Sequence, residues 1–440
     1  MSSIIGIRRE TKNAWERRVP LVPADIADLV RDRGLEFIVQ PSPIRVFADA
    51  DFAAAGASVD ADLSPARVVL AVKEIPVDEL HGRTAYVYFS HTVKGQAYNM
   101  PMLRHILDTG ATLIDYERIS DEQNRRLIFF SLHAGYAGMI ESLRALGLRW
   151  QHLGRATALA GVRHAFQYPS LPAAEAHLRE IGEQLAEAAT GDQPPLVVGI
   201  AGYGNVAKGC RRILESLPVR EITPAELPGL AGGPSRETGP MLAVVFREEH
   251  MVEPKAAEAQ FVLQDYYQRP QNYRGVFEKH LPYLDVLVNT IYWEDRYPRL
   301  VTRKWVKGAW HGEARPRLQV IGDISCDFEG SIEVTRKAPA PDNPCYVVDP
   351  DSGEIRDGVE GRGPVVMSVD NLPCELPREA SEHFSKVLRD MVPALAQADF
   401  TRDFASLDLP QHLKKAVIAH RGELAPGYTY LREFLDRAAR

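Results

Sequence analysis

Lys73 closes an apolar run, Arg67-Val-Val-Leu-Ala-Val-Lys73, and His91 follows a second, Ala85-Tyr-Val-Tyr-Phe-Ser90. As neighbouring strands of a parallel sheet, these runs would deliver an ammonium and an imidazole to one carboxyl edge, where open α/β sheets hold their functional groups. A cation beside a histidine favours the neutral imidazole, and partial burial disfavours both charged forms, so such a pair is poised to exchange protons near neutrality. Each residue also fits a plainer role, Lys73 as a solvated lysine after a strand and His91 as a structural histidine, and the pairing sets the catalytic reading beside these without excluding them. Glu16, Arg17 and Arg18 lie in the loop after the first predicted strand, at the same edge. Arginine's planar fork suits a substrate carboxylate, and Glu16 suits a lysine or a substrate amine; a surface ion-pair cluster is the plainer alternative. Asp115, Glu117 and Arg126 flank a turn near Asp121-Glu-Gln-Asn and would form one polar wall.

A second kind of chemistry lies in Leu196-Val-Val-Gly-Ile-Ala-Gly-Tyr-Gly-Asn-Val-Ala-Lys-Gly209, where an apolar strand runs into a glycine turn and then a helix. This is how a βαβ unit presents a helix N-terminus to a dinucleotide pyrophosphate. Gly202 makes the tight turn, Gly204 lets the backbone approach the phosphates, and Ala207 takes the third small position of the fingerprint. A glycine turn needed only for packing shares these features. In such units the cofactor-selecting position comes about 20 residues after the turn, here within Val219-Arg-Glu-Ile-Thr223. Glu221 there would grip the ribose of NAD, whereas Arg220 would admit the 2′-phosphate of NADP.

Positioning these groups requires a βα succession. Strands are predicted at 4–8, 35–39, 67–73, 84–90 and 111–115, with Ile26, Leu29 and Val30 at helical spacing before Gly34 and a further helix around 95–108. A helical pattern from Ala137 to Leu148 and a helix around 173–189 lead to the glycine strand. Strands follow at 219–222, 241–246, 284–289 and 318–323, with a segment around 345–348, a Pro/Gly-rich loop at 228–240, and surface loops over 338–363 with a hairpin about Asp351-Ser352-Gly353. Helices near 379–395 and 410–419 return to the first domain. The expected fold is therefore α/β, with two Rossmann-like domains and a cleft between them. The NAD(P)-binding domain, 139–367, is inserted between residues 1–138 and 368–440 of a discontinuous substrate domain.

A chain of 440 residues exceeds what one core usually supports. Its 45% hydrophobic and 25% charged residues, with a net charge of −7, give no nucleic-acid footprint. Cys210, Cys326, Cys345 and Cys374 form no C-x-x-C, so they read as reduced packing residues, with neither a disulfide framework nor a metal site. The start lacks a basic segment followed by an apolar one, and no run approaches 18 apolar residues. The expectation is a cytoplasmic protein with no membrane partner.

Several long motifs add to this reading. Arg8-Arg-Glu-Thr-Lys-Asn-Ala-Trp-Glu-Arg-Arg-Val-Pro-Leu-Val-Pro23, Val72-Lys-Glu-Ile-Pro76, Tyr88-Phe-Ser-His-Thr-Val-Lys94, Leu113-Ile-Asp-Tyr-Glu117 and His133-Ala-Gly-Tyr-Ala-Gly138 resemble the L-lysine-forming saccharopine dehydrogenases. Within them, the pattern is most similar to the lysine-ketoglutarate reductase half of bifunctional aminoadipic semialdehyde synthases. Tyr292-Trp-Glu294, Asp323-Ile-Ser-Cys-Asp-Phe-Glu-Gly-Ser-Ile-Glu333 and Asp370-Asn-Leu-Pro-Cys-Glu-Leu-Pro-Arg-Glu-Ala380 extend the resemblance to roughly residues 4 to 430.

The resemblance implies reversible reductive condensation of L-lysine and 2-oxoglutarate to saccharopine. It makes Lys73 and His91 the acid–base pair: Lys73 acts at the bridging amine, and His91 at the carbonyl or carbinolamine oxygen. Glu16 moderates Lys73, Arg18 and Arg126 bind substrate carboxylates, and Glu117 places the amine. Cofactor candidates are Gly202, Tyr203, Gly204, Asn205, Val206, Arg220, Glu221, Asn289, Tyr292 and Asp323. NADPH is favoured because the animal and plant reductase domains use it, and NAD stays open. A separate saccharopine-oxidising enzyme would take the next step, and a homodimer is compatible with the pattern. The alternatives are an NAD-dependent saccharopine dehydrogenase, a related opine-forming or alanine dehydrogenase, and a non-catalytic nucleotide sensor.

Overall fold

Short apolar runs alternating with amphipathic helices build two eight-stranded sheets in the computed structural model, which describes residues 4–189, 194–232 and 240–438. The chain divides into a first unit, Met1–Phe130 with Pro377–Arg440, and a second, Ser131–Leu376.

In the first unit, six parallel strands lie in the spatial order Ser58–Val59, Glu36–Val39, Ile4–Ile7, Val68–Leu70, Ala85–Tyr88 and Thr112–Asp115. The chain steps outward on one side of its first strand and then on the other, the doubly wound order. Val68–Leu70 and Ala85–Tyr88 are buried throughout, as expected of parallel strands covered on both faces. Leu70 pairs with Val87, and the Phe89 amide donates to the Val72 carbonyl at 3.1 Å. The residues that follow the two strands therefore stay side by side. Helix Pro23–Arg33 begins on a proline and stops at Gly34 in the left-handed region.

The C-terminal segment joins this unit through buried polar and aromatic contacts. The Ser381 and Ser385 hydroxyls of helix Pro377–Leu388 accept from the Val19 and Val22 amides, each at 3.0 Å. Phe384 of the same helix stacks on Phe130 and meets Tyr116 edge-on. The expected helix near 379–395 is split into Pro377–Leu388 and Val392–Gln397. The expected helix at 410–419 is corrected: only Gln411–Lys414 is helical, and Val417–His420 is a strand antiparallel to Thr112–Asp115. Val417, Ile418 and Ala419 have no solvent exposure, so both faces of the run are covered and pairing at the sheet edge overrides the helical reading.

In the second unit, the spatial order is Val219–Ile222, Met241–Phe246, Leu196–Ala201, Val286–Asn289, Val320–Asp323, Val365–Met367, Cys345–Val348 and Ile355–Asp357. The first six are parallel, and the last two form the hairpin expected about 351–353. One departure matters for the site: Met241–Phe246 lies beside the glycine strand, and Val219–Ile222 is displaced to the edge. The sequence explains the exchange, because Met-Leu-Ala-Val-Val-Phe is apolar on both faces, whereas Val-Arg-Glu-Ile exposes its two charged residues. Of the loop expected over 228–240, residues 228–232 continue a 3-10 segment, and 233–239 lie outside the described residues.

Helix Ser131–His152 packs against helix Asn205–Leu214 through glycines on both sides. A Cβ at Gly135 would stand 2.1 Å from the Val206 carbonyl oxygen, and one at Gly209 2.3 Å from that of Leu132. This close approach explains the small residues of His133-Ala-Gly-Tyr-Ala-Gly138 and fixes the helix whose N-terminus faces the glycine turn. Among the described residues, no helix is long and apolar enough to cross a membrane.

Candidate active site and dinucleotide site

Lys73 and His91 reach the same edge of the first unit because their strands are paired in register. The backbone beneath Lys73 is pinned by Glu10, whose carboxylate accepts from the Val72 amide at 2.6 Å and the Lys73 amide at 3.1 Å. Burial and neighbouring Glu16 push the Glu10 carboxyl up to about 7, against the pull of those amides and Arg8. His91 takes φ +48, a region that non-glycine residues enter at a cost. The turn is held from both sides: the Asn99 side-chain amide donates to the carbonyls of Ser90 and His91 at 3.0 and 3.3 Å, and Asp115 accepts from the amide and hydroxyl of Ser90.

That turn aims His91 Nδ1 at Glu74 Oε1, 2.6 Å away, while Lys12 Nζ lies 3.3 Å from Glu74 Oε2. Burial alone would raise the Glu74 carboxyl, but His91 and Lys12 outweigh it and hold the group down at about 2. Glu74 is therefore ionised at neutral pH and acts only as an acceptor. Nδ1 carries the proton in that bond, which leaves Nε2 of a neutral His91 with its lone pair. The arrangement is a carboxylate–imidazole dyad beside a lysine, suited to moving protons.

The other first-unit candidates are found in pairs. Glu16 and Arg18 are buried and make a bidentate bond, with Nε–Oε1 at 2.7 Å and Nη2–Oε2 at 2.5 Å, and the guanidinium lies 4.2 Å above the Phe130 ring. Arg126 Nη2 donates to Glu117 Oε1 at 2.7 Å, and the Glu117 amide donates to Asp115 Oδ1. Glu10 and Glu74 are the residues of this site that the sequence motifs do not single out. The adjacency of Glu74 to Lys73 was the available signal, but its partner is set by the left-handed turn at His91, which no spacing rule encodes.

In the second unit, the strand Leu196–Ala201 enters the glycine turn at Gly202, φ +104, whose amide donates to the Phe246 carbonyl at 3.0 Å. A Cβ there would stand 2.6 Å from Thr290 Oγ1, so only glycine fits, whereas Gly204 has open space in front of it. Gly204 caps the helix that starts with Asn205 and Val206, and Ala207 is buried in the packing beneath. A cavity of about 460 Å³ opens beside this turn, lined by Tyr203, Arg247, Glu248, Tyr267, Ile291 and Tyr292, among others. Bare backbone, a ten-residue helix N-terminus and this cavity fit a dinucleotide.

Asn289 and Asp323 are brought together below that cavity, not into it. Asn289 Nδ2 donates to Asp323 Oδ1 and Ser331 Oγ, each at 2.8 Å, and Thr335 donates to the other carboxylate oxygen. Burial raises Asp323 to about 6. These two residues tie adjacent strand ends, while Tyr292 is 72% exposed at the cavity. The structure does not bring Arg220 and Glu221 to the turn. Their strand is at the edge, and Glu221 is paired with Arg211 at 2.8 Å. Arg247 and Glu248 occupy the end of the strand beside the glycine turn instead. Comparing the apolarity of the two strands would have revealed this.

The family model described as "Alanine dehydrogenase/PNT, N-terminal domain" matches residues 6–137. The chain is 36% identical over 451 residues to an α-aminoadipic semialdehyde synthase of Arabidopsis thaliana, covering 98% of this chain and 41% of that protein. It is 27% identical over 402 residues to a saccharopine dehydrogenase [NAD(+), L-lysine-forming] of Neurospora crassa, covering 89% of this chain and 90% of that one. This chain thus spans less than half the length of the α-aminoadipic semialdehyde synthases it matches. An L-alanine dehydrogenase structure superposes with a TM-score of 0.62 at 19% identity, covering 98% of this chain and 99% of the other, a likeness of fold.

Proposed function

This chain is a homologue of the α-aminoadipic semialdehyde synthases and of the L-lysine-forming saccharopine dehydrogenases, and from that premise we propose that it reduces the imine formed between L-lysine and 2-oxoglutarate, giving saccharopine reversibly, with NADPH as reductant. The observation that carries the reading is the Glu74–His91 dyad, in which Glu74 follows Lys73 in the chain at the shared end of two paired strands. Reductive condensation is a sequence of proton transfers around one carbon. The amine adds to the keto carbon, the carbinolamine oxygen leaves as water, and the imine nitrogen is protonated as its carbon is reduced.

His91 Nε2 takes the ammonium proton as the amine adds and returns a proton to the departing oxygen. Glu74 stabilises the imidazolium that forms between these steps. Lys73 holds a proton at the bridging nitrogen, and Glu10 fixes the backbone from which it extends. Arg126 supplies guanidinium charge toward a substrate carboxylate, with Glu117 beside the amine, while Arg18, buried and closed on Glu16, holds the loop beneath them. Gly202, Tyr203, Gly204, Asn205 and Val206 hold the cofactor pyrophosphate at the helix start, with Tyr292 at the mouth of the cavity. When bound, NAD(P)H supplies the hydride to the imine carbon. Asn289 and Asp323 keep the strand ends beneath it in place.

The test follows NADPH oxidation with 2-oxoglutarate against lysine, ornithine and other amines. Lysine should be the preferred donor, and Lys73→Met and His91→Gln should each lower kcat by about 10²- to 10⁴-fold while leaving cofactor affinity unchanged. Unchanged turnover in either variant contradicts the assignment. The match of residues 6–137 favours one second reading, amination of pyruvate by ammonia. Lysine-independent turnover with those substrates would select it.

A further inference from the structure

The exchange of strand order in the second unit moves the cofactor-selecting position. In a doubly wound nucleotide fold, the adenosine ribose lies over the end of the strand next to the glycine strand. Here that strand is Met241–Phe246, and the residues after it are Arg247 and Glu248. A cation there suits a 2′-phosphate, and a carboxylate suits the free 2′- and 3′-hydroxyls, so the chain carries both determinants side by side.

Their surroundings distinguish them. Arg247 lies 4.7 Å over the ring of Tyr203, the residue between the two glycines of the turn, and among the described residues its guanidinium has no carboxylate within ion-pair distance. It lines the cavity beside the turn. Glu248 is tethered instead: Tyr267 Oη donates to its Oε1 at 2.6 Å, and Tyr203 Oη donates to the same oxygen at 3.4 Å. Gripping both ribose hydroxyls takes both carboxylate oxygens in one orientation, and Oε1 is already turned to two phenols whose bonds must be given up first. Both tyrosines are about 40% exposed, so the tether is a surface latch, not a core contact.

The geometry points to Arg247 as the holder of the 2′-phosphate of NADP(H) and to the Tyr203–Glu248–Tyr267 tether as the device that withholds the NAD-type carboxylate. This rests on the dinucleotide reading of the second unit and deepens it; it does not depend on which amine is condensed. The reach toward the ribose comes from Arg247 and Glu248, while Arg220 and Glu221 on the edge strand play no part in the choice.

The experiment measures equilibrium binding of NADPH, NADH, 2′,5′-ADP and 5′-ADP by fluorescence titration and calorimetry on the full chain. Wild type should favour the 2′-phosphorylated member of each pair. Arg247→Ala should weaken NADPH and 2′,5′-ADP by about 10- to 100-fold, the range for one lost hydrogen bond to a charged group, and leave NADH within about threefold. Tyr267→Phe should tighten NADH by freeing Glu248, and adding Glu248→Gln should cancel that gain. Arg220→Ala and Glu221→Ala should change none of the ratios. A wild-type preference for NADH, an equal loss of both dinucleotides in Arg247→Ala, an unmoved NADH affinity in Tyr267→Phe, or a collapse of the preference in Arg220→Ala would each overturn the inference. If the binding ratios hold but lysine and 2-oxoglutarate give no turnover, the substrate reading fails and this one stands.

Discussion

Replacing Glu74 by Gln keeps the shape of the side chain and removes the charge that His91 and Lys12 share. The carboxyl falls from an ordinary 4.5 to about 2 in the folded protein, a difference worth about 3 kcal/mol at about 1.4 kcal/mol per pH unit. Because the folded value is depressed, that stabilisation is fully present above 4.5 and is lost as pH falls toward 2. At pH 7, Glu74→Gln should therefore be less stable than wild type by up to about 3 kcal/mol, and the two urea-unfolding curves should converge near pH 2. The catalytic consequence is separate. An amide can present either its oxygen or its NH₂ to Nδ1, so the imidazole is no longer confined to the tautomer that leaves Nε2 as acceptor. kcat should fall by about 10²-fold with little change in KM for either substrate. Steady-state kinetics with lysine and 2-oxoglutarate, together with unfolding at pH 7 and pH 3, read both effects. A variant with wild-type kcat, or with a stability deficit that does not shrink in acid, would refute the dyad.

Gly202→Ala should weaken NADPH and NADH alike, because φ +104 and the Thr290 hydroxyl at 2.6 Å force the turn open; an unchanged dissociation constant in a fluorescence titration would contradict this. Gly135→Ala should lower thermal stability by about 1–3 kcal/mol, the usual range for overpacking, since its methyl meets the Val206 carbonyl at 2.1 Å; an unshifted melting curve would show that the two helices separate freely. Glu375 is fully buried, and burial together with Glu141 raises its pKa well above 4.5. The stability tied to its bound proton is full below 4.5 and fades as pH rises through the folded value. Glu375→Gln should therefore match wild type near pH 4 and exceed it at pH 8, as followed by urea midpoints; a variant less stable at pH 8 would reverse that reasoning.

Much of the architecture was legible because parallel strands buried on both faces leave continuous apolar runs, as at Val68–Leu70, Ala85–Tyr88 and Met241–Phe246. Val417–His420 was not, since a four-residue apolar run carries no period that separates strand from helix. The placement of Lys73 and His91 at one edge followed from the order of their strands, whereas the Glu74 partner depended on a backbone turn with positive φ. The expectation for Arg220 and Glu221 rests on a count of residues from the glycine turn. That count assumes the next strand in sequence is the next in space, and here the more apolar strand took the inner place.

The most direct test of the proposed reaction uses NADPH carrying deuterium at the transferable position, with lysine and 2-oxoglutarate and mass-spectrometric analysis of the product. The expected product is one secondary amine joining the lysine ε-nitrogen to the former keto carbon, with a single deuterium on that carbon, formed by wild type and lost in Lys73→Met and His91→Gln. Deuterated glutamate or alanine formed without lysine, or label reaching saccharopine at the wild-type rate in both variants, would contradict it.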